Sequence, residues 1–446
     1  MKVDLLNGKL NKSYFTLLIS AIGSTFVTTI YSTVDMICVG HYAGPNGTAA
    51  ISCMAPMWAL IFAFGVLTGV GGGVMMANRR GAADEKSANE FYTLSVVLSA
   101  ITSIVLVTLY AIFPEQLLRL FGADGEVLEL AVEYTRAVCF SFPTFTICAC
   151  LSVFMRNDGE AFIPTAATII GGVINIVLDV VLVFGFRMGV SGAGLATAIG
   201  QVISFLIILS YFFTKKCNLK FTKITNSGEK LIKIISIGFS AFILEISSGI
   251  ITAVHNTLIM DKLGAAHLAV YGAASSAMIM FLCLFNSIGT AMQPLASVAH
   301  GADNHARVRG VLRLSFITAL IMGAVFTVLC EAFPEAILHI YMDVNDDVLK
   351  IGPRVVRIYC LAIPTMGISQ TCSHYFQSTI HRAHSITISS MRGLALPLIF
   401  IFSLPLVLNY NYIWLAIPLA EAITCITAII MLSKNLAKRR LLTQTV

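Results

Sequence analysis

Charge is scarce in this sequence. Only 12% of its 446 residues are Asp, Glu, Lys or Arg, against roughly 25% in a soluble globular protein. The apolar share is 57% and the mean hydropathy +0.85. A water-soluble fold cannot hide that much apolar surface, so the chain is expected in a membrane. A helix needs about 20 apolar residues to cross a bilayer. Runs of that length fill the chain and leave no room for a soluble domain.

Other signals are missing as well. The net charge is +6, but the basic residues lie in short scattered clusters. With no basic-aromatic surface, nucleic acid is excluded as a partner. No GxxxxGK(S/T) phosphate loop occurs, which argues against ATP hydrolysis. The glycine-rich stretch GVGGGVMMANRRGA is read as close helix packing at the end of a span. Neither HExxH nor GxSxG is present, so no enzyme is expected. The 11 cysteines sit almost all in apolar runs and behave there as small hydrophobes; neither a disulfide nor a metal site is expected. The opening MKVDLLNGKLNKSYF has no small-residue cleavage signal after it and reads as a cytosolic stub. His300 and His305 flank a loop and read as solvated.

What is present is periodic. Twelve apolar segments lie between residues 14 and 433. With the N-terminus inside, the inner loops hold most of the 29 lysines and arginines, among them Arg79, Arg80, Lys215, Lys216, Lys220 and Lys223. Both termini are then cytoplasmic by the positive-inside rule. The longest outer loops, near Glu115–Glu129 and Glu335–Asp347, are acid-rich.

The halves repeat. FPEQLL at Phe113 returns as FPEAIL at Phe333, Gly81-Ala82 as Gly301-Ala302, Pro143-Thr144 as Pro364-Thr365 and Arg136 as Arg357. The offset stays near 220 residues, the mark of an internal duplication. Each half has six spans, so the halves are parallel and related by an axis along the membrane normal. The expected division is an N-terminal six-helix lobe, residues 1–214, a cytoplasmic linker, 215–232, and a C-terminal lobe, 233–446. The fold class is all-α polytopic membrane protein, with twelve transmembrane helices in two pseudo-twofold-related lobes.

Ionisable residues inside a span are rare, because each disfavours insertion by a few kcal/mol. Asp35, Asp179, Glu245 and Glu421 are the acidic ones, and Arg392 is basic. At about 1.5 Å rise per residue, Asp35, Asn175, Asp179 and Thr197 fall at similar outer depths of the first lobe. Asn175 and Asp179 share one helix face by their i,i+4 spacing. Two carboxylates, a carboxamide and a hydroxyl can bind a proton or coordinate a small cation. The competing reading is polar glue between helices. Glu245, near a midplane, can take a cationic substrate or second ion. Glu421 is less distinctive. Arg392 lies near the inner face, where its head can snorkel.

Together VDMICVGHYAGPNGTAA, MRNDGEAFIPTAATIIGGVINIVLDVVLVFG, GVSGAGLATAIGQ and AMQPLASVAHGA resemble multidrug and toxic compound extrusion (MATE) transporters, over essentially the whole length. The resemblance implies two six-helix lobes around a central cavity, and efflux of organic, often cationic, compounds against an inward H⁺ or Na⁺ gradient. It implies a first-lobe cation site at Asp35, Asn175, Asp179, Thr197 and Asn157. Glu245 matches a seventh-span glutamate that some members pair with a tenth-span acid. Here the tenth span has no acid between Arg357 and Thr379; its polar residues are Gln370, His374 and Gln377. Glu245, Gln293, Gln370 and Glu421 are therefore candidates for substrate or a second ion. No cofactor is expected beyond the coupling ion. The expected partners are small organic substrates and the lipid bilayer, with the protein a monomer in a prokaryotic plasma membrane. The alternative is a lipid-linked saccharide or lipid flippase of the wider superfamily, which acids in the cavity argue against.

Overall fold

In the computed structural model, residues 2–341 and 346–444 are described. Residues 342–345 of the acid-rich stretch 335–347 lie outside the described residues, as do the side chains of Lys438, Arg439 and Arg440. The protein is an all-α polytopic membrane protein, with no strand among the described residues.

The chain divides into two compact units, Met1–Ile246 with Ser297–Asn304, and Ser247–Ala296 with His305–Val446. The first contains α1 (Leu10–Cys53), α2 (Ala55–Gly81), α3 (Glu85–Ile112), α4 (Pro114–Leu120), α5 (Gly125–Val138), α6 (Phe142–Asn157), α7 (Phe162–Asp179) and α8 (Gly189–Ser210). Helices α9 (Ser227–Leu263) and α10 (Ala265–Gly301) contribute to both units. The second unit adds α11 (His305–Ala332), α12 (Pro334–Tyr341), α13 (Asp346–Cys360), α14 (Ile363–Ser378), α15 (Arg382–Ser390), α16 (Leu396–Val407) and α17 (Ala416–Gln444).

Sequence punctuation explains the breaks. Proline occupies the first turn of α2, α4, α6 and α14, where its missing N–H leaves no bond unmade. Asp84 caps α3 by accepting from the Ser87 N–H at 3.0 Å, satisfying one of the free donors of a helix start. Helix α1 bends at Gly44, whose φ of 63° lies in the left-handed region that glycine adopts without strain.

Eleven stretches among the described residues are helices long and apolar enough to cross a bilayer. The remaining expected span, 353–379, is formed by α13 and α14, which meet at a turn at Leu361 and Ala362. Its second half buries Ser369, Gln370, Thr371, Ser373, His374 and Gln377, so it is polar where the others are greasy.

Small residues set the helix spacing in the first unit. A Cβ on Gly72 of α2 would run into Ser95 of α3 and Phe154 of α6. A Cβ on Gly200 of α8 would sit 2.7 Å from the Gly171 carbonyl of α7. The glycine-rich stretch of α2 is thus a packing surface, and the α7–α8 contact is close enough for polar side chains to meet one turn further along.

One end of the first unit is tied by Asp158, directly after α6. Its carboxylate accepts from Lys2 Nζ at 3.1 Å, from the Asn218 N–H at 3.2 Å, and from Arg80 and the Tyr211 hydroxyl. The segment beyond α8, expected as part of a basic linker, is pinned to α3. The N–H groups of Lys220, Thr222 and Thr225 donate to Asn89, Thr93 and Glu90 at 3.1, 3.0 and 3.2 Å. Glu90 also accepts from Thr225 Oγ1 at 2.7 Å and pairs with Lys230.

Candidate functional site

Gly171 and Gly200 bring α7 and α8 together, and Ser204 Oγ donates to the Ala167 carbonyl at 2.9 Å. Ser20 of α1 donates to the Ala161 carbonyl at 2.8 Å and meets Thr165 of α7. The three helices so fixed carry Asp35, Asn175, Asp179 and Thr197, all buried.

Asn175 Nδ2 donates to Thr197 Oγ1 at 3.3 Å. Tyr134 of α5, 1% exposed, donates to Asp35 Oδ2 at 2.9 Å and lies 3.2 Å from Thr197 Oγ1. A chain Asn175–Thr197–Tyr134–Asp35 results. Asp179, with no exposed surface, lies within electrostatic reach of Asp35 and Tyr134.

The oxygens left over are informative. Asp35 Oδ1, Asn175 Oδ1 and both carboxylate oxygens of Asp179 are buried without a hydrogen-bond partner. Buried polar atoms are nearly always paired, so four orphans in one place leave lone pairs for a guest. Oxygen-only sets suit a proton or a hard cation. Beside Asn175 and Thr197 lies a cavity of about 120 Å³, lined also by Tyr31, Phe145, Cys148 and Gln201. That holds a few waters or an ion, well short of the several hundred Å³ of a drug-sized pocket. The helix turns into a π-helix, Val180–Gly185, directly after Asp179, and π-bulges recur at functional positions.

Asn157 is not brought into this set. Its Nδ2 donates to the Val153 carbonyl at 2.9 Å and packs beside Gly73. Glu245, half-buried on α9, belongs to the first unit by its contacts. Sequence reasoning missed Tyr134, which has no counterpart in the second half, where Val355 stands 221 residues on. The only available signal was that a buried tyrosine hydroxyl usually finds a partner.

The second unit gathers a different group. Arg392 Nε donates to Glu421 Oε1 at 2.6 Å, and Nη1 donates to Gln370 Oε1. Ser369 Oγ donates to Glu421 Oε2 at 2.8 Å. Gln370 Nε2 donates to Asn286 Oδ1 at 3.1 Å. The side chains of Arg392 and Glu421 are each 5% exposed. This corrects the expectation that Arg392 snorkels: a buried partner holds its guanidinium, and a paired charge has no need to reach water. Gln293 stands apart on α10 and donates to Gln377 Oε1 at 3.2 Å.

The MatE family model matches residues 20–181 and 241–401, one match in each repeat. The "Probable multidrug resistance protein YoeA" of Bacillus subtilis is 24% identical over 424 residues, covering 93% of this chain and 91% of that protein. The "Multidrug export protein MepA" of Staphylococcus saprophyticus is 24% identical over 385 residues, covering 86% and 84%. A solved structure described as the outward-facing conformation of a multidrug resistance MATE family transporter superposes with a TM-score of 0.90 at 22% identity, over 98% of both chains. A superfamily transporter from Pyrococcus furiosus, whose description attributes a different function to the reversed polarity of its binding pocket, superposes at 0.88 and 22% identity, over 98% of this chain and 99% of that one.

Proposed function

We propose, for a chain that belongs to the MatE family, that it is a secondary transporter exporting organic, often cationic, compounds in exchange for H⁺ or Na⁺. The observation that carries this reading is the set of four orphaned oxygens on Asp35, Asn175 and Asp179. An ion arriving there neutralises buried negative charge and draws α1 and α7 together. Its departure leaves Asp35 and Asp179 repelling each other in a low dielectric. The site therefore has two arrangements whose balance depends on the ion, which is what coupling to a gradient requires. Alternating exposure of the site to the two sides of the membrane completes the cycle.

The relatives' names support export of many compounds. The positive-inside pattern supports both termini in the cytoplasm, and the bacterial relatives support a plasma membrane. Transport rather than catalysis, no cofactor beyond the ion, and a monomer are part of the same proposal. The flippase reading is the weaker one, because the buried charges of the first site are acids.

The test is ethidium efflux from proteoliposomes under an imposed pH or Na⁺ gradient, with Asp179→Asn as the variant. Efflux driven by one gradient and lost in Asp179→Asn is the expected result and names the ion. Gradient-driven efflux that survives the substitution moves coupling away from this site. No efflux in the unaltered protein under either gradient overturns the reading.

A further inference from the structure

The acids of the first unit leave one buried titratable group of the second unit without a task. His374 of α14 is 9% exposed. Its ring is pressed against Gly289 of α10, where a Cβ would collide with it. Its Nε2 lies 3.1 Å from Asn286 Oδ1, an acceptor, so Nε2 carries the hydrogen. Nδ1 then presents a bare lone pair, and it is buried with no hydrogen-bond partner.

The surroundings connect that nitrogen to a charge pair. Asn286 Oδ1 also accepts from Gln370 Nε2, and Gln370 Oε1 accepts from Arg392, which is paired with Glu421. The charged groups facing His374 are therefore Arg392, from the π-helix Met391–Ala395, and Glu421, from α17. The buried face of α11 adds only the Cys330 thiol, and α17 adds Cys425. On α15, His384 stacks on Phe376, two residues along from His374.

We propose that His374 is a proton-binding residue of the second unit, occupied when Arg392 withdraws from Gln370. The inference rests on the reading of an ion-coupled exporter. In the arrangement observed, a proton on Nδ1 would place a second cation beside Arg392 with only Glu421 to balance both. Buried charge without compensation is strongly disfavoured, so the ring stays neutral. If Arg392 moves away, the local charge becomes that of Glu421 alone, and the ring gains a proton with no other bond made or broken. Arg392 sits on a π-turn, a backbone form that marks functional positions and adjusts its register readily. Proton affinity that differs between two arrangements is the property that links a site to a transport cycle. The polar residues of α14, inexplicable as a lipid-spanning pattern, then form a second exchange centre.

The experiment counts protons released when ethidium binds the purified protein in weakly buffered detergent, near the ordinary histidine range of about pH 6–7. In the Asp35→Asn, Asp179→Asn background, about one proton is expected to leave per dye bound, and adding His374→Gln abolishes that release while dye binding persists. Release unchanged by His374→Gln, or none in the double variant although dye binds, overturns the proposal. Failure of the unaltered protein to bind dye overturns the wider reading instead. Should His374→Gln not fold, Asn286→Asp serves, followed by histidine ¹⁵N resonances. A carboxylate on the Nε2 side should raise the proton affinity of one ring about tenfold; nine unshifted rings also overturn the proposal.

Discussion

Tyr134 donates its phenolic hydrogen to Asp35 across 2.9 Å, joining α5 to α1 at the one carboxylate oxygen of Asp35 that has a partner. The same hydroxyl lies 3.2 Å from Thr197, so it fixes Asp35 relative to α8. Tyr134→Phe keeps the ring and removes the donor. Leaving a buried acceptor unpaired costs about 1–3 kcal/mol. Gradient-driven dye efflux should fall by about 5- to 100-fold for that range, with gradient-independent dye binding retained. Efflux at the unaltered rate would show that Asp35 needs no orientation from α5.

Much of this site was legible because its chemistry is conspicuous against lipid. Asp35 and Asp179 stood out as charges in greasy runs, and the i,i+4 spacing put Asn175 on the face of Asp179. Tyr134 did not stand out, since a tyrosine in an amphipathic helix is ordinary. Asn286 was invisible for the same reason. Arg392 was legible as a charge but not as a pair, because Glu421 is 29 residues away and only the fold brings them to 2.6 Å. The 353–379 segment could be counted as a span, yet its polar side chains make sense only once α10, α15 and α17 surround them.

The α7–α8 contact gives a packing prediction. Gly200→Ala would place a methyl 2.7 Å from the Gly171 carbonyl and 3.0 Å from Asn175 Cβ. Overpacking of this kind costs about 1–3 kcal/mol, and here it pushes Asn175 away from Thr197. Lower thermal stability in detergent and impaired efflux are expected together. Gly228→Ala, where a Cβ meets nothing within 4 Å, is the control and should leave both unchanged. Equal effects at the two positions would argue against close helix approach as the cause.

Asp158 predicts a graded loss of stability. Its side chain is 1% exposed and that of Arg80 10%, whereas Lys2 is 27% exposed. Removing one partner of a buried pair costs about 3–5 kcal/mol, because the other charge is left uncompensated. A partly exposed pair contributes about 0–1 kcal/mol. Asp158→Ala should therefore lower the unfolding temperature sharply and Lys2→Ala barely. Should the two variants melt alike, the buried pairing with Arg80 does not carry the stability of this end of the unit.

The last prediction concerns the segment after α8. Its N–H groups at Lys220, Thr222 and Thr225 bond to side chains of α3 at 3.0–3.2 Å, and Lys230 closes the arrangement on Glu90. A net hydrogen bond is worth about 0.5–1.5 kcal/mol, so each side-chain deletion should speed exchange of the amide it holds about 2- to 10-fold. Asn89→Ala should act on the Lys220 amide and Thr93→Ala on that of Thr222. Glu90→Ala should act more widely, since it releases Thr225 and strands the Lys230 ammonium, which is buried. Hydrogen exchange read by mass spectrometry resolves these peptides. Uniform fast exchange across residues 218–226 in the unaltered protein would mean that the segment is a loose tether, and that α3 does not hold it.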